Sequence, residues 1–207
     1  MSLSKVPVYL VLMHSNVVNR HGARVTTAVT NLDIHDIARS ARTYELRRYF
    51  LVTPLAEQHE LVGRILGHWQ SKQSREYHPD RFEALSRVRL AWNFDEVRAG
   101  VEAAHGGKRA EVVLTDASEL PGKVSVSYRD YRAELEFRSR KAAADGVEPS
   151  PVIVVFGTGW GISDAFHPVV DRILMPVYGP EGSKVGQYNH LSVRAAVAVI
   201  LDRLLGT

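Results

Sequence analysis

PVIVVFGTGWGI, residues Pro151–Ile162, decides the fold. Its first half is an apolar, β-branched run without alternation, the pattern of a strand buried on both faces. Its second half is a glycine-rich turn at the strand's carboxyl end. Val6–Met13 is a second run of the same kind, and Ile173–Met175 a shorter one. Tyr49–Thr53, Val88–Trp92 and Val112–Leu114 also read as strands. Helical periodicity lies between them: a stripe of Ile34, Ile37, Ala38, Ala41 and Tyr44, then Ala56–Trp69, Phe94–His105 and Ser127–Ala144. Strands and helices alternate from end to end, which predicts an α/β fold with a mostly parallel sheet and helices on both faces. Ligands of such sheets bind outside the carboxyl ends of the strands. Thr115-Asp116, Gly157–Gly161 and the loop before Tyr188 all follow strands, so they are expected to converge there.

Local chemistry sharpens the boundaries. Thr30, Asn31 or Asp33 suits the cap of the first helix, and Pro54 stops the strand before it. Gly106-Gly107 and Gly146 end helices. In Ala56–Trp69, the residues expected to face inward are Leu61, Ile65, Leu66 and Trp69. Ser71–Pro79 reads as a polar surface connection, and His14–Ala28 as a long polar loop of the kind that often carries function. The last helix, His190 to Leu205, is apolar nearly all round. It is expected to be buried on several sides, against its own chain or a second copy.

The chain has 207 residues with 45% hydrophobic content, enough for one domain spanning 1–207 with a full core. There are no cysteines, which excludes disulfides and thiolate chemistry and fits a cytoplasmic protein. Val6–Met13 is too short to cross a membrane. The net charge of +3 is mild, but cations cluster: Arg39, Arg42, Arg47 and Arg48 in one segment, and Arg129, Arg132, Arg138, Arg140 and Lys141 in another. Nine histidines are present, yet there is no HExxH and no convincing ligand pair, so no metal is expected. GTGWGI is not a dinucleotide fingerprint, because Ile162 occupies the last required glycine position. It is not a phosphate-binding P-loop, lacking Gly-Lys-Ser/Thr, nor a nucleophile elbow, lacking serine at 159. Two readings remain: a turn whose bare backbone meets a ligand closely, or an ordinary turn that packs Trp160 into the core.

Three segments together resemble the SPOUT superfamily of S-adenosylmethionine-dependent RNA methyltransferases. TNLDIHDIARSARTYEL (Thr30–Leu46) is similar to the family's first motif, an asparagine-containing loop leading to a helix with arginine. VIVVFGTGWGIS (Val152–Ser163) is similar to the second, the glycine-rich cofactor loop. ILMPVYGPEGSKVGQYNHLSVRAAVAVILDRLL (Ile173–Leu205) is similar to the third, a cofactor loop running into the final helix. The order and spacing match over nearly the whole chain. The likeness is strongest to standalone bacterial members, a subgroup sometimes joined to a tRNA guanine-N1 methyltransferase.

The resemblance implies a C-terminal deep trefoil knot, a homodimer and an RNA substrate, tRNA or rRNA. It implies S-adenosyl-L-methionine bound by Thr115, Asp116, Phe156, Gly157, Thr158, Gly159, Gly161, Ile162, Met175, Tyr188, Asn189, His190, Leu191 and Ser192. It implies a catalytic role for Arg39, as phosphate anchor or aid to deprotonation, with Asn31, Asp36 and Arg42 as neighbours. Two departures leave the acceptor open between ribose 2′-oxygen and base nitrogen. Thr158-Gly159 stands where the ribose-methylating branch usually has glutamate, and Tyr188-Asn189-His190 where it has Ser-Leu-Asn. A non-catalytic RNA-binding protein of the same fold is the second reading, and a divergent nucleotide-binding oxidoreductase the third.

Overall fold

A computed structural model describes residues 5–180 and 190–207. Its spine is a six-stranded parallel sheet in the order β5-β4-β1-β7-β6-β8. Here β1 is Val8–Met13, β4 Tyr49–Val52, β5 Val88–Ala91, β6 Glu111–Leu114, β7 Val152–Gly157 and β8 Arg172–Ile173. The remaining strands, β2 (Val17–Val18) and β3 (Arg24–Val25), form a small antiparallel hairpin directly after β1. The chain runs outward from β1 through β4 to β5, then crosses to the other side, where β7 pairs with β1 from Val8↔Val152 to Met13↔Gly157. The strand order therefore reverses between β1 and β7, and a crevice forms at their carboxyl ends.

The helices are α1 (Asn31–Thr43), α2 (Ala56–Trp69), α3 (Lys72–Tyr77), α4 (Pro79–Leu85), α5 (Phe94–Ala104), α6 (Tyr128–Asp145) and α7 (Val193–Leu205). They cover the two faces unequally. Ile34 and Ile37 of α1, Leu66 of α2, Leu85 of α4, Leu135 of α6 and Leu201 of α7 pack on the face that carries Leu10, Leu12 and Val154. The other face, with Val11, Met13 and Val155, is covered by Phe94, Val97 and Val101 of α5 and by Phe166 from a short 3-10 turn. Alternate residues of β1 thus feed two cores, which is why its run is apolar without a gap. Each fully buried leucine or isoleucine contributes about 1.5–3 kcal/mol.

Most expected elements form where the sequence places them. Thr30 caps α1: its hydroxyl accepts from the Asp33 amide at 3.2 Å and donates to the Asp33 carboxylate at 2.6 Å. Gly146 closes α6 in the left-handed region, with φ +67°.

Four expectations are corrected. The expected surface connection Ser71–Pro79 lies within helical structure, α3 followed by α4. Ser71 caps α3, and Pro79 opens α4 with its preset φ. Because α3 buries only Ser74, the segment carries no apolar periodicity to read. The polar loop His14–Ala28 contains the β2–β3 hairpin, anchored by the fully buried Val17. In α2 Leu66 is buried and Ile65 and Trp69 pack partly buried against the core as expected, but Val62 takes the buried place and Leu61 is 45% exposed. Finally, α7 starts at Val193 and buries one stripe, Val197, Ile200, Leu201 and Leu204. Ala195, Ala198 and Val199 stay half-exposed in the single chain. The segment preceding α7 that would complete a knot includes residues 181–189, outside the described residues.

Candidate functional site

The glycine turn and the β2–β3 hairpin are joined by backbone. Val18 N–H donates to the Gly161 carbonyl at 3.0 Å, Trp160 N–H to the Val18 carbonyl at 2.9 Å, and Ser163 N–H to the Asn16 carbonyl at 2.7 Å. The glycines make this fit possible. A Cβ on Gly159, whose φ is +62°, would lie 2.9 Å from the Val18 carbonyl oxygen. One on Gly161, with φ +103°, would lie 3.0 Å from Asp116 Oδ2, and one on Gly157 would lie 2.9 Å from Ile162 Cγ1. The turn is thus a close-packed cradle wedged between hairpin and β6. Trp160 is 64% exposed, which excludes the reading that packs it into the core.

Beneath the cradle runs a polar chain. Thr158 donates its hydroxyl to the Met13 carbonyl at 3.0 Å and meets the Thr27 hydroxyl at 2.6 Å; Thr27 lies 3.1 Å from His14 Nδ1. His14 is fully buried, and its Nε2 has no hydrogen-bond partner. Burial pushes its pKa down to about 4, against the opposing pull of the Asp33 charge and the Ala28 carbonyl. His14 follows the last residue of β1, the same carboxyl-end position that singled out Thr115. It opens the loop His14–Ala28 that the sequence singles out, though the residue itself is absent from the expected site set.

The predicted cofactor residues divide. Thr115, Asp116 and 157–162 gather at the adjacent ends of β6 and β7, and burial pushes the Asp116 carboxyl up against the amides of Ser118 and Ala117 and the His167 charge. Ser163 Oγ, next to the turn, is buried without a partner. Phe156 and Ile162 bury their side chains in the two cores, which leaves only their backbone for any ligand contact. Met175 is partly exposed after β8, its carbonyl accepting from the Tyr128 hydroxyl at 2.5 Å. His190 sets its ring edge-on to Trp160 at 6.4 Å, which joins the second segment to the third. Leu191 is exposed, and Ser192 caps α7. Tyr188 and Asn189 lie outside the described residues.

The first segment reaches the third through Arg194, absent from the expected set. Its guanidinium pairs with the buried Asp33 at 3.3 Å and with Asp36 at 3.4 Å. Arg39, Asn31 and Asp36 line a groove of about 740 Å3 between α1, α2 and α4. Arg42 lines an adjoining hollow and is held by Glu83 at 2.6 Å. Among the described residues, no hydrogen bond or ion pair links Arg39 to the glycine cradle.

A parallel α/β sheet with a backbone cradle and a polar chain at its switch point makes a crevice of the kind in which such sheets bind small molecules. Residues 7–206 match a family described as SAM-dependent RNA methyltransferase, and the chain belongs to that family. Its methyl donor is S-adenosyl-L-methionine. The chain is 39% identical to an uncharacterised protein of Aquifex aeolicus (strain VF5), over 95% of this chain and 87% of that one. It is 40% identical to a tRNA (guanine-N(1)-)-methyltransferase of Nitratidesulfovibrio vulgaris, over 96% of this chain but 42% of that protein. The chain therefore spans less than half the length of that relative. In fold it is similar to a probable methyltransferase from Bordetella pertussis Tohama I, with TM-score 0.60 and 17% identity over 99% of this chain and 97% of that one. It is also similar to the SpoU methyltransferase AviRb from Streptomyces viridochromogenes, with TM-score 0.55 and 15% identity over 99% and 60%. The resemblance to SPOUT enzymes holds at the level of the fold, as does the expected parallel α/β class. Among the described residues no group of histidine and carboxylate side chains is arranged to hold a metal, and no helix is long and apolar enough to cross a membrane.

Proposed function

We propose that residues 1–207 form one knotted methyltransferase domain that acts on tRNA in the cytoplasm, with Arg39 anchoring a phosphate of the substrate. The reading is supported above all by Arg194, whose two ion pairs tie α1 to the start of α7 while His190 and Trp160 tie α7 to the cradle. The bound cofactor supplies an electrophilic methyl carbon on its sulfonium. The chain's own work is to position and to exclude water. The strand-end residues 115–116 and 157–162 hold the nucleoside through backbone groups fixed by the hairpin. Their geometry fits, since Gly157, Gly159 and Gly161 leave the backbone bare, and the Ser163 hydroxyl and Asp116 carboxyl stand beside it.

With the cofactor held there, the chain would present a ribose oxygen or a base nitrogen in line with the sulfonium methyl group, the thioether product staying in the cradle and the acceptor's proton passing to solvent. An arginine stays protonated at neutral pH, so Arg39 serves as phosphate anchor and not as base. The relative named for guanine N1 carries more than twice the length of this chain, so its named activity describes a larger protein. The half-exposed apolar side of α7, with Ala195, Ala198 and Val199, suits a homodimer in which Arg39 serves a site completed by the partner.

Arg39→Ala is expected to lower methyl transfer from labelled cofactor to bulk tRNA by at least about 100-fold. S-adenosylhomocysteine affinity, measured by calorimetry, stays within a few-fold. Unchanged turnover removes Arg39 from the mechanism. Mass spectrometry of the nucleosides from the same reaction identifies the acceptor atom.

A further inference from the structure

The groove between α1, α2 and α4 is more than the place where Arg39 sits. Its walls come from two helices that the sequence reading did not connect with chemistry. Arg81 of α4 lies with its guanidinium carbon 4.6 Å from the centre of the Trp69 ring. His35 of α1 meets the same ring edge-on at 5.4 Å. Arg64 of α2, ion-paired with Glu60 of the same helix, completes the rim.

The charge balance of this groove bears on what it can hold. Several arginines elsewhere have acids: Arg42 has Glu83, Arg109 has Asp171, Arg132 has Glu136 and Arg138 has Glu111. Others, such as Arg75 and Arg203, lie over aromatic rings instead. Arg39 and Arg81 have none within 4.0 Å among the described residues. The one acid of the groove, Asp36, is taken by Arg194. The two cations also register on His35. Burial first and Arg81 second push its pKa down, Asp36 pulls it up and Arg39 adds to the lowering. His35 Nδ1 is buried without a hydrogen-bond partner. The site therefore combines two arginines without an acid, a flat cation stacked on an aromatic ring and a buried polar atom without a partner.

A phosphodiester strand meets that combination. Its phosphates need cations, and an unpaired base stacks on an arginine plane as well as on an aromatic ring. A volume of about 740 Å3 falls within the usual range of ligand clefts, about 300–1,000 Å3. We propose that this groove seats an unpaired nucleotide of the substrate RNA, its base on the outer face of the Arg81 guanidinium that Trp69 backs, its phosphate between Arg39 and Arg64. The inference rests on the RNA reading above and adds to it which part of the surface grips the strand and in what state. Paired RNA does not satisfy it, because a base inside a duplex presents no free face.

The test is fluorescence anisotropy with labelled oligoadenylate and oligouridylate of about 12 nucleotides, within the site sizes single-strand binders use, and with a duplex made from the two. Wild type is expected to bind the single strands more tightly than the duplex. Arg81→Ala loses about tenfold for oligoadenylate, and the slope of log affinity against log salt becomes shallower by about one. Arg81→Lys restores the slope and not the affinity, because an ammonium replaces the charge and not the plane. S-adenosylhomocysteine binding within about twofold of wild type in both variants reports an intact fold; Arg81 is exposed, so the substitutions remove no core contact. Wild-type affinity for RNA in both Arg81→Ala and Arg64→Ala overturns the groove assignment, as does equal or tighter binding of the duplex. An Arg81→Lys protein that matches wild type overturns the stacked base. Failure of the wild-type protein to bind any of these RNAs or bulk tRNA overturns the RNA reading itself, a separate outcome.

Discussion

The cradle and the groove solve opposite problems. In the cradle the turn itself is held by internal partners: Thr158 has Met13 and Thr27, and Trp160 N–H has Val18, while the unpartnered Ser163 Oγ and His14 Nε2 are buried. In the groove Arg39 and Arg81 are left without an acid. The first arrangement fixes geometry in advance, which suits a nucleoside that must be held in one pose. The second leaves charge unspent, which suits a polyanion that arrives and departs. Stability should therefore reside in the cradle and affinity in the groove, and substitutions can separate the two.

The largest effect is expected at His14. Its pKa is about 4 in the folded chain against an ordinary 6.5. Between those values the unfolded chain binds more protons, so stability rises with pH. The contribution is fully present above about pH 6.5 and is lost as pH falls toward 4. At about 1.4 kcal/mol per unit, the loss across the window is about 3 kcal/mol. Urea unfolding at pH 7 and pH 4.5 measures it. In His14→Gln, which keeps a polar group facing Thr27 and cannot titrate, the two pH values should differ by about 2 kcal/mol less than in wild type, since pH 4.5 samples most but not all of the window. Equal pH dependence in both proteins would show that the buried imidazole is not what makes the cradle acid-sensitive.

Next comes the close approach of turn to hairpin. Gly159→Ala places a methyl group 2.9 Å from a backbone oxygen, which cannot rotate away, at φ +62°. Left-handed strain plus a weakened Trp160–Val18 hydrogen bond amounts to about 2–3 kcal/mol. Gly146→Ala has nearly the same φ, +67°, but nothing within 4 Å of the new methyl group. It should cost only the strain, about 1 kcal/mol. The difference between the two melting curves isolates the packing of cradle on hairpin, and if the two variants melt together that packing contributes nothing. Cofactor affinity should fall in Gly159→Ala alone.

The same contrast explains what the sequence disclosed. The sheet was legible because burial on two faces forces uninterrupted apolar runs such as Val8–Met13 and Val152–Phe156. The glycine cradle was legible because positive φ and absent Cβ restrict composition at 159 and 161. The groove was not. The α3–α4 segment buries little beyond Ser74, Ala84 and Leu85, so it leaves no periodic trace, and Arg81 reaches Trp69 only through a turn set by Ser71, His78 and Pro79. Arg194 was hidden for another reason. It sits amid the apolar run of α7, and its partners Asp33 and Asp36 lie some 160 positions earlier in the chain. Pairings of that separation depend on the fold as a whole and have no local signal.

The smallest effect is the one that tests the contrast most sharply. Arg39→Ala combined with Arg81→Ala removes two exposed cations and one cation–π contact, with no buried apolar surface and no ion pair lost. The contact contributes about 0.5–1 kcal/mol at an exposed site. Relief of repulsion between two neighbouring cations, both felt by His35, offsets part of that. The double variant should therefore melt within about 2 °C of wild type, while its RNA affinity falls far more than stability does. A large drop in melting temperature would mean that the groove cations hold the fold after all. Charge left unpaired would then be a structural element with a partner elsewhere in the assembly, and the division between a stable cradle and an adhesive groove would fail.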